Sequence, residues 1–387
     1  MKKFIFFTLF FILYFSYFTY SQYYWEKIPG LYGGKVKQIT FDNKGNIFAC
    51  TEKHIYISTD EGEKWKRIGG PKEIYGNPFP DIYSFFSLGK YIYTTAAIQG
   101  IDNGTYITFK SSDNGIHWFE CENIPETWFH YCINKEIGLF ALSIWDKSIL
   151  IINGKTGKTI TLCDKTVYLP EEMQFLDNGK LLFRTEKYIE KSRTNNYYLE
   201  IIDPDSCSHQ EIDLGLDYFR LLHETINKKI YFSSKEGLYV LNDDNKSYQQ
   251  ILKMERAPIY VTSSPDGQNI YVVNNTNTIY YSEDFGKNWK ELNTSFNKIS
   301  VVEYFKDNII FAITEAGVAK YKNSEWHIVN DGIDEVQVNT INFDKDNNLY
   351  AGTSGFGVLK KEMGSNEWIT IYNGLTDYLK YKPNTIL

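Results

Sequence analysis

Apolar and polar residues alternate along this chain in short bursts, and the bursts repeat. Residues 36–68 show the order best: VKQITF alternates, DNKG turns, NIFACT is a strand-like run, and HIYIS and WKRI follow after further turns. Such runs, bounded by Gly, Asn and Asp, read as short antiparallel strands joined in hairpins. The same order returns at 258–292 and at 336–371. No window of useful length carries a helical period.

The most apolar strand of each unit opens with an aliphatic–aromatic pair after a polar turn. The pairs are Ile47-Phe48, Ile92-Tyr93, Leu139-Phe140, Leu182-Phe183, Ile230-Tyr231, Ile270-Tyr271, Ile310-Phe311 and Leu349-Tyr350. From each aromatic residue to the next the spacings are 45, 47, 43, 48, 40, 40 and 39. A period near 40 residues marks a propeller or a solenoid. One four-stranded meander cannot cover both its faces, whereas sheets set radially cover one another and leave only short, protected edges. The pattern predicts an all-β chain folded as a β-propeller of eight four-stranded blades. Seven is the alternative count, if two weak middle repeats share one sheet. The ends are less regular: residues 25–28 read as a fourth strand with nothing before it, and 374–387 as the start of another first strand.

Three turns between third and fourth strands share the pattern S-x-D-x-G-x-x-W: Ser58, Asp60, Gly62 and Trp65; Ser111, Asp113, Gly115 and Trp118; Ser282, Asp284, Gly286 and Trp289. Each residue type has a local reason. The aspartate accepts backbone N–H groups of its own turn, the glycine permits positive φ, the tryptophan buries a large ring, and the serine adds a weaker local bond. Every role is structural, since one acid per box is far short of the six or more oxygens of a calcium site. The pattern resembles the Asp-box, or bacterial neuraminidase repeat. The resemblance covers three of eight units clearly, with a worn copy at 241–248. Propellers with this box occur among sialidases, xyloglucan-cleaving enzymes, sortilin-type receptors and photosystem II assembly factors. The plain layout here is most similar to the last two groups and to their exported bacterial relatives. A shared fold does not carry function with it.

Composition refines the picture. Lys2 and Lys3 precede an apolar stretch over residues 4–18, and Ser21 is a small residue at its exit. These features predict a secretory signal peptide over residues 1–21 and a single propeller domain over 22–387. No later stretch is apolar enough to span a membrane, so the mature chain is expected to be secreted, periplasmic or at the cell surface. Losing the two lysines moves the formal charge from −7 to −9. That mild acidity, with no basic cluster, argues against nucleic acid as a partner. The five cysteines, Cys50, Cys121, Cys132, Cys163 and Cys207, read as buried small hydrophobes, with a Cys121–Cys132 disulfide as the alternative.

Chemistry is harder to find. Sialidase-like enzymes hold a substrate carboxylate with three arginines, and this chain has five in all. Arg67 falls on an outer strand and Arg193 in a hairpin loop. Arg184 and Arg220, on inner strands, are the channel candidates, one short of the clamp. The six histidines show no ligand spacing, and no nucleophile elbow or phosphate loop appears. No catalytic residue, metal or cofactor is assigned. Exposed rings such as Tyr75, Tyr83 and Trp128, and the insertions at 69–80 and 186–197, are the first places to seek binding. The expected function is a non-catalytic exported propeller that binds a protein or glycan at the cell envelope. A sialidase-like glycoside hydrolase and an assembly factor for an envelope complex are the alternatives.

Overall fold

The computed structural model describes residues 32–371, apart from 52–53, 70–80, 89, 98–105, 122–123, 125–127, 135–137, 145–147, 155, 157, 164–170, 177, 190–193, 223–228, 245, 295, 297, 337, 354–356 and 366. The signal-peptide reading for 1–21, the strand readings for 25–28 and 374–387, and Tyr75 all lie outside the described residues. So does the side chain of Trp128.

The described residues hold no helix. They form eight four-stranded sheets, each an antiparallel meander in chain order, and one two-stranded parallel pair. The sheets cover 38–68, 81–120, 128–163, 171–212, 220–253, 258–292, 299–328 and 338–371, and are numbered one to eight. The aliphatic–aromatic strands are the second strands, and their faces are the core. Ile47–Cys50 and Ile309–Thr314 are buried at every position. A strand covered on both faces has no polar row to alternate with, so its sequence reads as a continuous apolar run.

Packing between sheets settles the ring. Successive apolar clusters join sheets one to two, two to three, three to four, four to five, five to six and six to seven. A seventh cluster joins seven back to one, with Ile39, Tyr56 and Trp65 against Phe311, Val318 and Val329. The rings of Phe41 and Phe305 meet at 4.9 Å across that seam. Outside the apolar zone, Glu61 bridges Lys306 at 2.8 Å and Lys322 at 3.1 Å. The two ammonium groups hold its carboxyl below the usual range. Lys320 pairs with Glu63 beside them. All eight repeats expected from the sequence are present as sheets; seven of them enclose the axis.

Sheet eight leaves the circle because sheet one already occupies the place beside sheet seven. The chain beyond sheet seven runs parallel to the entry of sheet one, Asp334-Glu335 against Gly33-Gly34. Tyr56 Oη donates to Asp334 at 2.8 Å, and His54 pairs with Glu335. A Cβ at Gly34 (φ +150°) would sit 2.9 Å from the Glu335 Cβ, so glycine is what lets the two segments approach.

Two expectations are corrected. The circle closes on seven blades and not eight, because sheet seven packs directly on sheet one. The disulfide is Cys163–Cys207, while Cys121 and Cys132 are buried thiols, as is Cys50. Cys163 ends the fourth strand of blade three, and Cys207 lies in the turn between the third and fourth strands of blade four. The bond therefore crosses between blades. Burial pushes the Cys50 and Cys121 thiols up to about 12.

Candidate functional site: the axial face

Each turn of the Asp-box type has one geometry. The buried serine is its hub: Ser58, Ser111 and Ser282 donate to Asp60, Asp113 and Asp284 at 2.8, 2.7 and 2.8 Å. Each also accepts the N–H of its glycine at 2.9 Å. The aspartate then accepts the backbone N–H four residues on, from Lys64, His117 and Asn288. Two successive left-handed residues make the turn, with Gly62 at φ +87°, Gly115 at +81° and Gly286 at +81°. The serine carries more of this turn than its residue type suggests.

The tryptophans reach backwards. Trp65 Nε1 donates to the carbonyl of Val329 in blade seven at 2.7 Å, Trp118 to Gly69 after blade one at 2.7 Å, and Trp289 to Ile251 in blade five at 2.8 Å. Each box thus ties its blade to the end of the preceding one. In blade four the same turn holds Cys207, and the disulfide makes that tie covalently.

Hydrogen bonding holds these carboxyls below the usual range. For Asp113 the donors are the His117 backbone N–H, the Ser111 hydroxyl and the His117 ring. For Asp284, the Asn288 side-chain amide and backbone N–H set a value of about 2. A carboxyl lowered in the folded state stabilises it fully above the unfolded value and loses that contribution as pH falls through the folded one. Thermal stability should therefore drop as pH falls from about 4, near the unfolded aspartate value, towards 2. In Asp284→Asn that acid drop should be shallower, as read by melting temperature against pH.

The first strand of each ring blade carries a polar or aromatic residue, and several of these meet across blades. These are Gln38, Tyr83, Tyr131, Glu172, Arg220, Tyr260 and Glu303. Gln38 Nε2 donates to Tyr131 Oη at 3.0 Å, passing in front of blade two, and Gln38 Oε1 accepts the N–H of Phe85 at 2.8 Å. Tyr260 Oη donates to the Glu303 carboxylate. Burial first, and the carboxylate second, raise the Tyr260 hydroxyl well above its ordinary value. Tyr131 is pushed up to about 12, again chiefly by burial, and it feels Cys50, Glu303 and Tyr83. Tyr83 occupies a register shift in its strand and is 51% exposed. Such bulges re-aim side chains near functional surfaces.

The two candidate arginines, Arg184 and Arg220, converge on a partner that sequence reasoning missed. Arg184 Nε donates to Glu172 Oε2 at 2.9 Å, Arg220 Nε to Oε1 at 2.8 Å, and the Leu221 N–H to Oε2 at 2.9 Å. Glu172 lies in a bulge of blade four and Arg220 in blade five. The arginines clip two blades together through one carboxylate, so an open substrate clamp is not what they form. Removing Arg184 should cost about 1.5–3 kcal/mol, the worth of a hydrogen bond to a charged group, since Arg220 and the Leu221 N–H still hold Glu172; urea unfolding of Arg184→Ala measures this. Among the described residues no three of His, Cys, Asp and Glu gather as metal ligands would.

A family model for the BNR/Asp-box repeat matches residues 280–291. No curated protein matches the sequence. Solved structures share the fold. The GH74 xyloglucanase of Xanthomonas campestris is similar with TM-score 0.62 at 12% identity, over 86% of this chain and 59% of that one. YCF48, solved bound to D1 peptide, gives 0.54 at 11% identity, over 77% of this chain and 95% of that one. The extracellular domain of the B. thetaiotaomicron protein BT3049 gives 0.54 at 14% identity, over 91% of this chain and 49% of that one. This chain therefore spans 59% of the xyloglucanase and about half of the BT3049 domain. The chain is a β-propeller that carries the BNR/Asp-box repeat.

Proposed function

We propose that this chain is an exported, non-catalytic propeller, a single domain over 22–387 after a signal peptide, whose axial face binds an extended segment of a protein or glycan partner. The observation that carries this reading is the convergence of Tyr83, Tyr131 and Tyr260 with Gln38 and Glu303 from five blades. Tyr83 is 51% exposed and offers contact area, while the hydrogen bonds of Tyr131 and Tyr260 hold the rings of the cluster in place, which suits it to anchor a partner. The Asp-boxes serve as scaffold in this reading, tying blade to blade on the rim. The likeness to a propeller solved with a peptide supports it, as does the likeness to an extracellular domain.

The hydrolase alternative has less support, since Arg184 and Arg220 spend their Nε donors on Glu172. Capture from envelope extracts, followed by titration of the recovered partner, tests the proposal. Tyr83→Ala should weaken binding about tenfold, the size of a typical aromatic anchor, and leave the melting temperature unchanged. Unaltered binding in Tyr83→Ala and Tyr260→Phe, or hydrolysis of a glycoside panel at ordinary enzyme rates, contradicts it.

A further inference from the structure

Sheet eight repeats sheet one more closely than a shared period requires. The pattern V-x-x-I-x-F-D-x-x-x-N occurs twice in the chain, at 36–46 and 338–348, and residues 36–51 and 338–353 are identical at seven of sixteen positions without a gap. Both sheets build the same turn from it. Asp42 accepts the N–H groups of Lys44 and Asn46 at 2.8 and 2.9 Å and the Asn46 side-chain amide at 2.7 Å. Asp344 accepts those of Asp346 and Asn348 at 2.9 Å each, and the Asn348 amide at 2.9 Å. Gly45 and Asn347 take the left-handed backbone at equivalent places, φ +81° and +60°.

The copy is one-sided. Ile39, Ile47, Ala49 and Trp65 pack on blade seven. Register puts their equivalents, Ile341, Leu349, Ala351 and Trp368, together on one face of sheet eight. On the other face, Cys50 and Ile57 of sheet one pack on blade two, whereas Gly352 and Lys360 stand in their places in sheet eight. Sheet eight therefore carries a second version of the surface that closes the ring. Part of that surface is open, with Ile341 62% exposed and Phe343 60% exposed. The entries to the two sheets also run side by side, Gly33-Gly34 parallel to Asp334-Glu335.

We infer that sheets one and eight are alternative occupants of the place beside blade seven, and that sheet eight displaces sheet one from it in a second, less populated arrangement. Sheet one then moves off with blade two, to which Phe48, Cys50, Ile55 and Ile57 hold it. The exchange trades apolar contacts nearly one for one, so burial alone favours neither sheet strongly. What it does not return is polar. Leu359 stands in the place of Tyr56, which bonds to Asp334. Gly364 and Asn366 stand in the places of Glu61 and Glu63, which pair with Lys306, Lys322 and Lys320. Exposed ion pairs weaken in salt, so ionic strength favours the exchange.

Photo-crosslinking in the full chain is the test. Phe343 is replaced by the photoreactive analogue p-benzoylphenylalanine, and peptides are mapped after illumination. The expected adducts lie within one molecule and fall on blade seven, at 299–328. Their yield should rise about threefold from low salt to about 1 M, where the Debye length is only about 3 Å. A disulfide between Phe41→Cys and Phe305→Cys, set where the two rings meet at 4.9 Å, holds sheet one in place and should abolish these adducts. Ile341→Lys should abolish them too, with an unshifted thermal transition. Absence of any blade-seven adduct at either salt concentration overturns the inference. So does a blade-seven yield that both the locked seam and Ile341→Lys leave unchanged, or one found only between two molecules.

Discussion

Trp65→Ala should destabilise the fold by about 3–5 kcal/mol, the usual cost of emptying a large aromatic site in a core. The same change at Trp118 or Trp289 should cost less. All three tryptophans occupy the same place in the same turn, so local sequence does not distinguish them. Position in the ring does. Trp65 is 5% exposed and packs in the cluster where blade seven meets blade one. Trp118 and Trp289 are only half-buried. The backbone closes the same seam: Trp65 N–H donates to the Asp331 carbonyl at 2.7 Å. A Cβ on Gly332 (φ +98°) would fall 1.9 Å from the Trp65 carbonyl oxygen. Gly332→Ala should therefore destabilise as well. Urea unfolding of the three tryptophan variants decides the matter. Equal losses at all three positions would show that Trp65 holds no special seam.

The second large effect is chemical. Reducing Cys163–Cys207, or replacing both residues by serine, should cost about 4 kcal/mol, as expected for a loop of intermediate length; the two cysteines are 44 residues apart. The native protein should show no fast-reacting thiol, because Cys50, Cys121 and Cys132 are buried. Denaturation should expose three thiols and reduction two more, read by thiol titration. A native peptide map linking Cys121 to Cys132 would contradict this pairing.

Much of the fold is written in short-range patterns. Aliphatic–aromatic pairs mark second strands because those strands are covered on both sides, and this needs no knowledge of partners. The Asp-box is equally local: every hydrogen bond of the turn from Ser58 to Lys64 lies within seven residues. What the sequence hides is long-range. Glu172 meets Arg220 across 48 positions, and Gln38 meets Tyr131 across 93. Nothing in spacing selects these partners among the 48 acidic residues and 31 tyrosines.

The disulfide lies between these extremes. Cys207 sits in the turn between third and fourth strands where other units place the Asp-box, and Cys163 at the end of the preceding blade's fourth strand. Reading the cysteines by their place in the repeat, in place of their separation, would have found the pair. Ring closure left the faintest trace. Repeat eight has the same strand order as the rest, so periodicity counts it equally. The difference lies in its first strand, where VNTINF carries polar residues at 339, 340 and 342 and is exposed throughout, while Ile299–Lys306 in blade seven buries Ile299, Val302 and Tyr304.

Closure between blades one and seven can be tested without any substitution. A zero-length carbodiimide cross-linker joins only carboxylates and amines already in contact, and Glu61 touches both Lys306 and Lys322. Peptide mapping of the cross-linked monomer should recover Glu61 bonded to one or both of them. A ring with sheet eight inserted beside sheet one would separate these groups by a whole blade. Recovery of Glu61 bonded instead to Lys345, Lys360 or Lys361 would contradict the seven-bladed ring.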